Sequence, residues 1–147
     1  GRARQVLDTV TYLRHDIGQS TSNQTYRSVV DDNARTAFSG KVYVERDAQK
    51  TDAQQSSRNL LLARTAEADT KPELEIYADD VQCAHGATVG ELDKKALCYL
   101  ASRGVSPEEA RAILVQAFVA DVIEGIDIEP VRDAYLEATQ NWLMAQL

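Results

Sequence analysis

The spacing of apolar residues changes near Gly90, and that change constrains the fold more than any other feature of the sequence. Before it, short runs rich in β-branched and aromatic residues recur between polar turns, at residues 6–13, 25–30, 37–44, 59–62, 74–77 and 81–89. In Glu73-Leu74-Glu75-Ile76-Tyr77 the alternation puts Leu74 and Ile76 on one face of a strand and both glutamates on the other. Asp31-Asp32-Asn33, Ser39-Gly40 and Asp79-Asp80 punctuate the runs. Hairpin signals are few, so a sandwich and a coiled β-solenoid fit equally, and no fixed repeat is visible.

After Gly90 the period is helical. Asp93 can cap a helix running to Arg103, with Ala96, Leu97 and Leu100 on its apolar face and Gly104 as the stop. Ser106-Pro107-Glu108-Glu109 opens a second helix. Ser106 suits the N-cap, Pro107 the first helical position, and Glu109 completes a capping box. Its expected core stripe is Ala110, Ile113, Leu114, Ala117 and Phe118, widened by Val115, Val119 and Val122, and Gly125 ends it. A third helix follows Asp127, with Val131, Ala134, Tyr135, Ala138 and Trp142 along one side. The expected organisation is residues 1–90, then a helical hairpin over 91–126, then a C-terminal helix over 127–147.

Charge narrows the function classes. The 147 residues carry a net charge of -7, distributed as +2 over residues 1–50, -4 over 51–100 and -5 over 101–147. An acidic chain of this kind lacks the cations that a nucleic-acid clamp or an anionic-membrane binder requires. The first two helices superficially resemble a helix-turn-helix, but the second begins Glu-Glu and has Arg111 as its only basic residue. A hairpin that docks a protein partner fits the same pattern better. No apolar stretch approaches the ~20 residues of a membrane helix. Two cysteines, one methionine and no secretory leader point to a reducing compartment rather than a disulfide framework. Gly1 stands where an initiating methionine is expected, as in a trimmed or processed chain or a piece of a longer one.

Cys83-Ala84-His85 is the most reactive-looking cluster: a thiolate and an imidazole two residues apart on a strand share a face and can meet one soft metal. Two ligands are too few for a site. Val81, Ala87 and Val89 share their parity, and an apolar strand face with one satisfied histidine explains the spacing at least as well. Cys98, beside Leu97 and Leu100, reads as a buried, inert thiol, and His15 as a loop residue. A free-standing metal or redox protein using Cys83, His85 and Cys98 is the alternative that these residues leave open. No nucleophile elbow and no phosphate-cradling Gly-rich loop are present, so nucleotide chemistry would come from another chain.

The twenty residues from Lys71-Pro72-Glu73-Leu74-Glu75-Ile76-Tyr77 through Cys83-Ala84-His85-Gly86-Ala87-Thr88-Val89-Gly90 resemble the SufD branch of the SufB/SufD family of the SUF iron–sulfur assembly machinery. Three further motifs agree in order: Tyr12-Leu13-Arg14-His15 with Gly18, Lys50-Thr51-Asp52 with Asn59-Leu60-Leu61-Leu62, and Tyr99-Leu100-Ala101-Ser102-Arg103-Gly104. The likeness runs from about residue 5 to 126.

The resemblance implies a mainly β fold with added α: the end of a right-handed parallel β-helix followed by a small helical domain, the C-terminal part of a longer protein. It implies a scaffold without catalytic turnover of its own, in the cytoplasm or, in a photosynthetic eukaryote, the plastid stroma. Its partners would be a SufB-like paralogue through the β-helix and the SufC ATPase through the helical domain. His85 matches the histidine offered at the SufB interface, beside a transient cluster or iron, with Cys83 secondary; this reverses the bland reading of His85. Tyr99, Ser102, Arg103 and Gly104 match the SufC-docking element. No cofactor is expected to be held tightly by this chain alone, and ATP enters only through SufC. SufB carries its key cysteine in the segment corresponding to residues 54–57, where this chain has Gln54, Gln55, Ser56 and Ser57, and a glutamate where this chain has Gly86. A β-helix cut from its preceding turns exposes backbone edges, so an isolated piece can form a homodimer.

Overall fold

Among the described residues of the computed structural model, 1–144, six strands precede three helices: β1 (Val6–His15), β2 (Thr21–Val30), β3 (Arg35–Val44), β4 (Asp52–Leu61), β5 (Glu67–Ile76), β6 (Gln82–Glu91), α1 (Lys94–Ser102), α2 (Pro107–Ile123) and α3 (Glu129–Met144). Two compact units result, one over Gly1–Gly90 and a helical one from Glu91 onward.

Successive strands lie in different sheets. The orders are β1-β3-β5 and β2-β4-β6, and Val6 stands opposite Arg35, Arg35 opposite Glu67, and Thr21 opposite Asp52 in parallel register. Parallel pairing between alternate strands excludes a sandwich of antiparallel hairpins. The repeat missing from the sequence is therefore geometric. Its offsets of 29, 32 and 31 residues follow turn length, and unlike side chains fill equivalent inward positions.

The interior is apolar at two corners and polar between them. Val42, Val44, Ala48, Ala53 and Ala78 form one corner with Leu13, Leu74, Val81 and Cys83; Val30, Ala34 and Ala66 form the other with Leu61 and Ala63. Between them β4 buries Gln55, Ser57 and Asn59. The two carboxamide nitrogens of this stretch find partners, which lowers the cost of burying it, whereas Gln55 Oε1 and Asn59 Oδ1 accept no hydrogen bond among the described residues. Gln55 Nε2 donates to Gln24 Oε1 at 2.8 Å and Asn59 Nδ2 to the Thr88 carbonyl at 3.1 Å. Polarity is also why the expected strands at 59–62 and 74–77 are too short. β4 begins at Asp52 and β5 at Glu67, since Ala53, Gln55, Ser57 and Asn59 alternate inward although three of them are polar.

His15 is not in a loop. It ends β1, is buried, and has Ser20 Oγ 2.7 Å from Nδ1 and Ser22 Oγ 2.9 Å from Nε2. Ser20 also donates to the Ile17 carbonyl at 3.0 Å, which spends its single hydrogen and makes His15 Nδ1 the donor of that pair.

In the helical unit Asp93 accepts from the Lys95 amide at 2.8 Å, and the Ser106/Glu109 capping box forms as expected. α2 is apolar nearly all round, so its buried stripe is not obvious from sequence: Ala110, Val115 and Ile123 are buried, whereas Ile113 is 45% exposed and Ala117 is exposed. On α3 the expected apolar side is the outer one. Val131, Ala134, Tyr135, Ala138 and Trp142 are exposed, and Arg132, Leu136, Thr139 and Leu143 form the half-buried side of a helix that packs on α2. The last three positions of the expected 127–147 helix lie outside the described residues.

Candidate functional site

β6 is the outermost strand of its sheet among the described residues. The Gln82 amide donates to the Thr51 carbonyl at 2.9 Å, just as the Asp52 amide donates to the Ser20 carbonyl at 3.0 Å where Asp52 pairs with Thr21. The same rule puts Gln82 beside Asp52, Cys83 beside Ala53 and His85 beside Gln55. Cys83 packs into the apolar corner with Ala53, so its parity, shared by His85, Ala87 and Val89, is the inward one. Yet His85, Ala87 and Val89 are exposed, because no strand of the opposite sheet follows β6 among the described residues.

Burial pushes the Cys83 thiol up from its ordinary value, a backbone hydrogen bond at Ala53 opposes this, and the nearby Asp52 carboxylate adds to it. At neutral pH Cys83 is a thiol, a weak ligand and nucleophile. No three His, Cys, Asp or Glu side chains converge on a metal position among the described residues. Cys83 and His85 by themselves are too few donors to hold a metal. Cys98 is exposed rather than buried, because α1 turns Ala96, Leu97 and Leu100 inward instead.

The α1 C-terminus gathers the other candidates. Tyr99 is 60% exposed with the Arg103 guanidinium 5.4 Å from its ring centre, and Ser102 Oγ donates to the Tyr99 carbonyl at 2.7 Å. Gly104 has φ +85°, a left-handed conformation costly for other residues, and lets its own amide reach the Ala101 carbonyl and that of Val105 the Leu100 carbonyl. Tyr99 and Arg103 thus project from a rigidly terminated helix. Two features escape sequence inspection. The outward stripe of α3 is apolar but reads as core until packing is known. Gln55 lies before the strand expected at 59–62, and only its inward alternation with Ser57 and Asn59 hinted at its place.

Comparison with known proteins finds one family. The family described as "SUF system FeS cluster assembly, SufBD core domain" matches residues 1–118. The iron–sulfur cluster assembly protein SufD of Escherichia coli is 43% identical over 90% of this chain and 31% of its own length. SufD of Bacillus subtilis is 36% identical over 90% of this chain and 30% of its own length. The chloroplastic protein ABCI7 of Arabidopsis thaliana is 38% identical over 88% and 27%. The chain spans less than a third of each of these relatives.

Proposed function

Because the chain belongs to the SufBD core-domain family of the SUF iron–sulfur cluster assembly system, we propose that it is the C-terminal part of a SufD-type scaffold, pairing with a SufB-like subunit and docking the SufC ATPase. The two sheets are read as the last turns of a parallel β-helix. Its right-handedness is supported by the general hand of crossovers between parallel strands. The observation that carries the proposal is the uncovered inward face of β6: among the described residues His85 stands there with too few ligands and an open strand edge beside it. A second strand-built subunit laid on that edge would cover Ala87 and Val89 and bring further ligands to His85 for iron or a nascent cluster, the cargo of the system. The exposed Tyr99–Arg103 pair supports the adjoining turn as the ATPase-docking element, with no catalytic turnover by this chain. The bacterial and chloroplastic relatives support a cytoplasmic or plastid setting, and no helix among the described residues is long and apolar enough to cross a membrane.

The test is His85→Ala in the full-length protein co-expressed with SufB and SufC. The complex should assemble normally and lose iron or cluster acquisition; acquisition at the parental rate removes His85 from the site. Arg103→Ala should instead reduce SufC recovered by co-purification, and unchanged recovery removes the docking assignment.

A further inference from the structure

The interior of the β2-β4-β6 sheet carries a column of polar side chains leading to His85. Gln24 pairs with Gln55 in register, and Gln55 with His85 by the Gln82–Thr51 hydrogen bond. Adjacent strands in such a ladder lie about 4.8 Å apart, so like-facing side chains on neighbouring rungs are within reach of each other. Gln55 is 3% exposed. Its Nε2 donates to Gln24 Oε1 on the β2 side, and its carboxamide lies over Gly40, where a Cβ would come within 2.6 Å of Nε2. Phe38 closes on the same spot, so the glycine leaves the room that the carboxamide occupies. With the nitrogen engaged by Gln24, the oxygen is the end of the carboxamide left over. That oxygen accepts no hydrogen bond among the described residues. A buried acceptor left unused is costly, and the donor-bearing side chain on the next rung is His85.

We propose that Gln55 is a positioning residue for His85: when a partner covers β6, the His85 ring turns inward, donates one N–H to Gln55 Oε1, and presents its other nitrogen to iron or the nascent cluster. The proposal rests on the reading of His85 given above. A ligating histidine needs its second nitrogen held by an acceptor, which fixes both tautomer and ring orientation. Gln24 is the anchor of the relay, since it holds the Gln55 nitrogen and so decides which end of the carboxamide faces His85.

The experiment uses the full-length subunit, ring-labelled with nitrogen-15 at histidine, in its complex with SufB and SufC, with ferrous iron as the probe. Solid-state nitrogen spectra read the His85 tautomer, assigned by difference with His85→Ala. The parent should show a single tautomer. Gln55→Leu should average the two ring nitrogens and weaken iron loading about tenfold. Gln55→Glu, which keeps the acceptor, should hold the single tautomer and load iron within about twofold of the parent. Averaged nitrogens in the parent overturn the proposal, whatever the variants do. So does a tautomer unmoved by Gln55→Leu, even where His85→Ala abolishes loading and the scaffold function stands. If Gln55→Leu moves the tautomer while neither it nor His85→Ala affects loading, the Gln55–His85 pairing stands and the assignment of His85 to iron falls.

Discussion

Gly18→Ala tests whether the turns between the sheets are limited by backbone contact. A Cβ at Gly18 would sit 2.5 Å from the Gln49 carbonyl oxygen, 3.2 Å from the Gln49 nitrogen and 3.4 Å from the Asp47 carbonyl oxygen. A comfortable carbon–oxygen contact is about 3.3 Å or more, and the atoms that must give way are backbone, so no rotamer change relieves the overlap. The movement strains the hydrogen bond from the Gln19 amide to the same Gln49 carbonyl, now 2.8 Å. Crowding costs about 1–3 kcal/mol and the weakened hydrogen bond about 1 kcal/mol. The lower entropy of an unfolded alanine offsets about 0.4–1 kcal/mol. The expected net loss is about 1–3.6 kcal/mol, read as a lower urea midpoint at an unchanged slope. Gly90→Ala is the control: nothing lies within 4 Å of its Cβ, so its midpoint should stay within about 0.5 kcal/mol of the parent. A Gly18→Ala midpoint equal to or above the parent's would refute backbone contact as the reason for the glycine.

Ser106→Ala should destabilise the helical unit by about 1 kcal/mol through loss of the N-cap, detected as a lower denaturation midpoint by circular dichroism. Cys98 should react with a thiol reagent at neutral pH well before Cys83, whose burial raises its pKa, and Cys83 labelling should accelerate as pH rises; equal rates would contradict the packing of Cys83. Glu75 is held below its ordinary value of 4.5 by the Lys41 hydrogen bond and then by Tyr77 Oη, 2.6 Å away. Its contribution to stability is present above the unfolded carboxylate pKa and is lost as pH falls through the lower folded value. Glu75→Gln should therefore show a shallower loss of stability than the parent below pH 4.5, measured by urea midpoints across that range.

Local chemistry and tertiary packing left different marks on this chain. The capping residues Asp93 and Ser106 to Glu109, and the left-handed Gly104, act within a few residues of themselves, so the helix boundaries follow from sequence. The candidate residues Cys83, His85, Tyr99 and Arg103 were legible for a related reason, as short motifs on recognisable elements. The middle of β4 was not, because the buried Gln55 and Asn59 donate to distant rungs, and a polar run whose partners lie some thirty residues away looks like a loop. The same holds for α2 and α3, where apolar residues are plentiful and only helix packing chooses which face is covered.

What the sequence determined by itself was the switch from strand to helix at Gly90, the helix termini, and the shared face of Cys83 and His85, all consequences of backbone periodicity and nearest-neighbour hydrogen bonding. Only the tertiary structure decided that alternate strands pair in parallel, that Gln55 lies beside His85, and that, among the described residues, the inward face of β6 is left open. Those follow from register between segments far apart in the chain, which turn lengths and interior packing set and local spacing does not encode.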